Sequence, residues 1–365
     1  ADSGARRLWR PVAARGALKR PPDYRAPWWL PGGHLQTIFP VARKAPLPAY
    51  RRERWDTPDG DFIELDWVDP AGPASAAPVR IAPPQPAVPQ ADPAPLSVPL
   101  FIPLFILFHG LEGSSRSHYA RSLMQAAAAR GWRGVVPHFR GCSGTPNRLP
   151  RAYHSGDSDE IDWILRRLQQ VAGGAPVFAA GVSLGGNALL KWLGERGSAA
   201  QLVVHAAAAI CAPLDLTLSG HALGEGFNRV YTRHFLATLR AKALAKCERH
   251  PGRFDAARIA GARTLAEFDD AYTAPAHGFA GVEDYWRRAS ARPWLGDIEA
   301  PTLVLNAAND PFVPARALPD VQSLPPAVHF DCPDEGGHVG FLAGAWPGNQ
   351  DWLAERVLAH FDRVR

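Results

Sequence analysis

Cysteine is scarce in this sequence: there are four among 365 residues, at positions 142, 211, 247 and 332. No two form a C-x-x-C pair. In a chain of this length they read as reduced thiols, not as a disulfide framework or a zinc site. Long apolar runs are also missing. The longest, Val98 to Phe108, is broken by Pro99 and Pro103 and is too short to span a bilayer. No hydrophobic signal-type core stands near the first residues, so a cytoplasmic location is expected. No spaced set of His, Asp and Glu suggests metal ligands, and neither a metal nor another cofactor is expected. No nucleic-acid-binding motif is present, which argues against a nucleic-acid partner.

What remains is ordinary for a soluble globular protein: 46% of residues are hydrophobic and 21% charged. The net charge of +5 hides an asymmetry. Residues 1–54 hold 12 Lys/Arg and 3 Asp/Glu, a balance of +9, while the remainder carries 28 basic and 32 acidic residues. Residues 1–25 form a basic arm, expected to be disordered and solubilising. Contact with an anionic membrane surface is the other reading of it.

Beyond the arm, residues 26–40 are rich in aromatics and proline and read as an ordered segment packed on the core. A hairpin is expected from Arg51–Thr57 and Phe62–Val68 around the turn Pro58-Asp59-Gly60-Asp61. Residues 70–99 are Pro/Ala-rich with little charge and read as a loop insertion. Strands and helices then alternate. Strands are expected at 104–108, 134–138, 176–180, 202–210, 302–306 and 328–331, and helices at 118–130, 158–171 and 351–362. This rhythm predicts an α/β fold with a mainly parallel sheet flanked by helices. It breaks at residues 216–297, which look helical and are expected to form a cap. The core is then 26–215 with 298–365.

The chemistry is concentrated in Gly181-Val182-Ser183-Leu184-Gly185. This is G-x-S-x-G between a short apolar strand and a helix, the setting of a nucleophile elbow. A serine hydroxyl needs an adjacent base. Of thirteen histidines, His338 is the best placed, in Gly336-Gly337-His338-Val339-Gly340-Phe341 after the last strand. Asp310, in Asn309-Asp310-Pro311 after the preceding strand, is the expected orienting acid, with Asp215 as the other candidate. The backbone N–H groups of Leu184 and Leu111 are the expected oxyanion donors. His109 and Gly110, in His109-Gly110-Leu111-Glu112-Gly113, and Cys142, in Arg140-Gly141-Cys142-Ser143-Gly144, are expected to line the substrate site. Cys142 has no elbow around it and is not read as a nucleophile. The order Ser183, Asp310, His338 is that of α/β-hydrolases.

The assembled segments resemble the YheT-like branch of the α/β-hydrolase superfamily. The resemblance rests on Pro27-Trp28-Trp29-Leu30-Pro31-Gly32-Gly33-His34-Leu35-Gln36-Thr37, on the five motifs above, and on Phe268-Asp269-Asp270-Ala271-Tyr272-Thr273. It covers roughly residues 26–362. It implies an α/β-hydrolase fold and a carboxylic-ester hydrolase acting on short- or medium-chain acyl esters or acylglycerols. Transfer of the acyl group to an alcohol, and a non-catalytic binding protein on the same scaffold, are the alternatives. The expected partner is a small-molecule acyl ester.

Overall fold

The computed structural model describes residues 23–43, 45–70 and 101–364. The basic arm before residue 23 and the Pro/Ala-rich stretch up to residue 100 lie outside the described residues. Eight strands form one sheet in the order β1-β2-β4-β3-β5-β6-β7-β8. They are β1 (Arg51–Asp56), β2 (Phe62–Val68), β3 (Leu104–Phe108), β4 (Arg133–Pro137), β5 (Val177–Val182), β6 (Ala206–Ile210), β7 (Thr302–Leu305) and β8 (Val328–Asp331). β1 and β2 pair antiparallel, as do β2 and β4; every other pairing is parallel.

The unbroken apolar run of β3 is explained by burial on both sides. Leu104, Ile106 and Phe108 enter one core, while Phe105 and Leu107 enter the other. Helices α1 (Gly33–Ala42), α2 (His118–Ala129), α3 (Ser158–Ala172) and α4 (Leu184–Arg196) precede or follow the first parallel strands. α3 starts where the Asp157 side chain accepts the Glu160 N–H, and it stops at Gly173 with φ 59°. α4 has only two residues outside its buried set, so it runs inside the molecule directly behind the sheet.

Two details depart from the sequence reading. The sixth strand begins at Ala206, not at residue 202, because pairing with β5 starts at Phe178↔Ala206. Residues Gly197–Leu202 form a 3₁₀ turn instead, and Leu202 lies exposed. β2 alternates as expected, yet its polar face is not solvated. Glu64 and Asp66 are buried there, paired with Arg54 and Arg52 from β1. Asp66 also accepts the Ser115 hydroxyl and lies 3.1 Å from His138 Nε2. These partners hold its carboxyl well below the usual range although burial opposes this.

Between β6 and β7 the chain is helical, with α5 (Leu216–Leu223), α6 (Asn228–Arg249), α7 (Val282–Ala289) and shorter turns. These elements share a third core with Phe312 and Val313, which follow β7. The last helix, α8 (Asp351–Val364), returns to the sheet through Leu353, Val357 and Phe361. Among the described residues, no helix is long and apolar enough to cross a membrane.

The turn from β5 into α4 leaves no room for side chains. A Cβ on Gly185 would lie 2.6 Å from the carbonyl oxygens of Phe108 and His109. Gly296 has open space around it. Gly185→Ala is therefore expected to destabilise the fold by about 2–3 kcal/mol, and Gly296→Ala by less than about 0.5 kcal/mol. Urea unfolding of the two variants checks this.

Candidate active site

Ser183 sits between β5 and α4 with φ 52° and ψ −118°, a conformation that L side chains seldom adopt. The backbone is held there from both sides. Ser183 N–H donates to Ile210 O (2.8 Å) and Ser183 O accepts the Asn187 N–H (3.0 Å). A Cβ on Gly181 would overlap the Gly185 carbonyl, so both glycines of the motif are required by the crossing of the two arms. The turn presents a half-buried hydroxyl at the C-terminal end of a central strand.

His338 and Asp310 meet at that hydroxyl. His338 Nε2 lies 3.0 Å from Ser183 Oγ, and His338 Nδ1 lies 2.8 Å from Asp310 Oδ2. Asp310 is buried, and its other oxygen accepts the Phe312 N–H (2.8 Å). With Nδ1–H donated to the carboxylate, Nε2 is left as an acceptor for the serine proton. The Phe312 ring stacks on His338 at 4.2 Å between centroids and restricts the imidazole on that face.

The histidine lies on a loop without secondary structure of its own. Four successive N–H groups are each held by a side chain from elsewhere. Gly336 N–H donates to Gln36 Oε1 (2.8 Å), Gly337 to Asn309 Oδ1 (2.9 Å), His338 to Thr37 Oγ1 (2.9 Å), and Val339 to Cys211 Sγ (3.2 Å). Gln36 Oε1 also accepts from Asn309 Nδ2 (2.9 Å), joining the acid's loop to the histidine's. The roles of Gln36, Thr37 and Cys211 were missed in the sequence. The segment carrying Gln36 and Thr37 stood out as ordered, but nothing local ties it to a loop 300 residues later.

The loop after β3 packs against the serine: a Cβ on Gly110 would lie 3.3 Å from Ser183 Cβ. Gly110 N–H itself is donated to Tyr119 OH (2.8 Å). Leu184 N–H opens α4 and so has no acceptor within that helix. Among the described residues no hydrogen bond holds the Leu111 N–H. Glu112, at φ 54°, is fixed by Tyr153, whose hydroxyl accepts its N–H and donates to its carboxylate, both at 2.9 Å.

Two expected lining residues are corrected. His109 has no exposed surface. Burial pushes its imidazole down to about 3, so it stays neutral. Nε2 accepts the Phe139 N–H (3.0 Å) and Nδ1 donates to Gly110 O (2.8 Å). It braces the loop from within the core. Cys142 is likewise buried, its thiol facing Glu112 (3.9 Å) and Lys242 (3.8 Å). Asp215, the other acid weighed, caps α5 through the Leu218 N–H (3.0 Å) and lies 3.5 Å from Arg292.

Among the described residues, two clusters each bring three metal-type ligand atoms together. In Cys211–Asp310–His338 the donors are already bonded to one another or to backbone. In His154–Asp157–His277, Arg151 occupies the carboxylate at 2.6 Å. His277 Nε2 of that cluster is buried without a hydrogen-bond partner. A groove of about 480 Å³ lined by Asp23, Tyr24, Asp331 and Glu335 shares no residue with Ser183, Asp310 or His338.

Burial pushes the Cys142 thiol up to about 12, and also raises that of Cys211 well above its usual value. Iodoacetamide at pH 8 is therefore expected to leave both unmodified in the folded protein and to modify both in urea, as read by peptide mass spectrometry.

A model of the alpha/beta hydrolase fold family matches residues 103–345. The chain is 41% identical to YheT of Escherichia coli (strain K12) over 328 residues, covering 89% of this chain and 88% of that one. It is 28% identical to phospholipase ABHD3 of Homo sapiens over 337 residues, covering 91% and 76%. It is also 28% identical to medium-chain fatty acid ethyl ester synthase/esterase 2 of Saccharomyces cerevisiae over 292 residues, covering 72% and 62%. Sheet order, serine turn and sequence agree: the chain belongs to the α/β-hydrolase fold family, in the branch that includes YheT.

Proposed function

We propose that the chain is a serine hydrolase of carboxylic esters. Ser183 is the nucleophile, His338 the general base and acid, and Asp310 its orienting carboxylate. The observation that carries this reading is the row Ser183 Oγ, His338 Nε2–Nδ1, Asp310 Oδ2, with both links at hydrogen-bond distance.

The reaction follows from that row. Ser183 Oγ attacks the ester carbonyl carbon as His338 Nε2 takes its proton. The carbonyl oxygen becomes an oxyanion and accepts from Leu184 N–H and Leu111 N–H. The C–O bond to the leaving group breaks, and His338 returns the proton to the departing alcohol. The acyl group remains on Ser183. His338 then draws a proton from water, the hydroxide adds to the acyl carbon, and the acid departs as Ser183 regains its hydrogen. The Asp310 side chain orients His338 and stabilises the imidazolium in both halves.

The substrates proposed are short- or medium-chain acyl esters or acylglycerols. The printed names of the human and yeast relatives support an acyl-ester class. The yeast name also favours a second outcome, in which an alcohol replaces water and a new ester is released.

The test is a p-nitrophenyl ester series of increasing acyl length. Wild type is expected to hydrolyse part of the series, with the optimum sizing the acyl pocket. Ser183→Ala is expected to lose about 10⁴-fold or more in kcat, and Asp310→Asn about 10⁴-fold. Full activity in Ser183→Ala would reject the reading. Added ethanol separates hydrolysis from acyl transfer by product analysis.

Thr37 acts through the backbone of His338 and is a positioning residue. Thr37→Ala is expected to lower kcat about tenfold with KM little changed, and Thr37→Ser to restore it. Steady-state kinetics with one ester checks both.

A further inference from the structure

Helix α1 buries Gln36, Thr37 and Pro40 against the histidine loop. At 100° per residue its opposite face carries Leu35, Ile38 and Ala42. Leu35 and Ile38 are 51% and 43% exposed, a poor use of apolar surface in a globular protein. The apolar strip continues on both flanks. On one side His34 meets the Phe227 ring at 4.6 Å, and Phe227 and Val230 at the start of α6 are half-exposed. On the other side Phe39 meets Trp346 at 5.5 Å, and Trp346 is 68% exposed.

The charge near this strip is mainly basic. Residues 24–52 contain five Lys/Arg and no Asp or Glu. Residues 226–247 likewise hold no acidic residue, with the exposed Glu225 just before them. Arg43, at the end of α1, and Arg229 and Arg233, in the first turns of α6, are exposed. An apolar helix face edged by tryptophan and phenylalanine and flanked by these arginines matches the interface of an anionic bilayer. Acyl chains take up the apolar side chains, aromatic rings sit at headgroup level, and lipid phosphates pair with the guanidinium groups.

We propose that the outer face of α1, with Phe227, Val230 and Trp346, docks this protein on an anionic lipid surface. The inner face of the same helix holds His338, so docking brings the site within about one helix diameter, ~10 Å, of the membrane plane. The proposal goes beyond the esterase reading and does not depend on it, since binding is measured without turnover.

The experiment uses the full chain and sucrose-loaded vesicles of phosphatidylcholine, with and without phosphatidylglycerol, read by co-sedimentation. Wild type is expected to bind the phosphatidylglycerol vesicles and to be released by high salt. The double variant Leu35→Glu/Ile38→Glu changes only exposed positions. It is expected to bind about tenfold less or weaker, with circular dichroism and turnover of p-nitrophenyl acetate unchanged. Absence of wild-type binding to either vesicle overturns the proposal. So does binding that persists in the double variant and is lost on removal of residues 1–22, which assigns the contact to the basic arm. A wild-type dimer in size-exclusion chromatography that the double variant converts to monomer also overturns it, making a second copy the occupant of the face.

Discussion

The candidate site depends on a loop that cannot hold its own shape. Residues 336–339 form neither helix nor strand, and Gly336, Gly337 and Val339 all have positive φ. Buried N–H groups in such a loop require partners, or each costs about 1–3 kcal/mol. All four find one, and the four acceptors come from α1, from the loop after β7 and from the end of β6. The imidazole is therefore positioned by three separate parts of the chain. Removing any acceptor both frees the loop and strands a donor. Gln36 is the most connected of the four, since it also binds Leu30 O and Glu335. The N-terminal segment before the sheet is thus as much part of the site as the strands are.

The serine is fixed by a different means. Its backbone is strained, and close packing keeps it so. Gly181 and Gly185 let the strand and helix touch, and Gly110 lets the loop after β3 approach within van der Waals distance. Strain of this sort persists only where the surroundings over-determine the conformation. Buried charge supplies part of that rigidity on the same edge of the sheet. Arg140, in the loop after β4, binds Glu160 at 2.5 Å together with Asp59 and Asp61 from the hairpin turn. Asp66 ties β2 to the loop after β3 through Ser115. The hairpin, the loop after β3 and α3 are locked together by groups that would be expensive to leave unpaired.

Local patterns made much of this readable from sequence. β3 is an apolar pentapeptide, the hairpin has its Asp-Gly turn, and G-x-S-x-G fixes strand, turn and helix within a dozen residues. The order of serine, acid and histidine followed from which strand each one succeeds. What could not be read were relations with no local signature. Thr37 and His338 are 301 residues apart, and no spacing rule connects them. The start of β6 is set by its pairing with β5, and Val203 and Val204 suit a strand as well as they suit a buried turn. His109 and Cys142 stand in the right loops, but which way a loop side chain faces depends on what packs behind it. Both turned inward.

The helical segment between β6 and β7 is attached at both ends. At its C-terminal end Asn187, in the elbow helix, donates to Ser155 O and Ala289 O and accepts the Ala291 N–H, all buried or nearly so. The last turns of α6 are fixed by Lys246, buried with the carbonyls of Asn147 and Leu149, which desolvation lowers to about 8. Lys242 adds a half-exposed pair with Glu112 in the loop after β3 (2.8 Å), worth at most about 1 kcal/mol. The first turn of α6 is tied to the loop after β7 by Asn228, whose Nδ2 donates to Pro311 O (2.6 Å), with ring contacts to His34 and Phe312 and the exposed His34–Tyr231 bond at 3.1 Å beside it. At this end His338, Phe312 and Tyr231 stand in a row from the site to the surface. The segment is thus pinned both to the helix behind Ser183, through Asn187, and to the loop that carries Asp310, through Asn228.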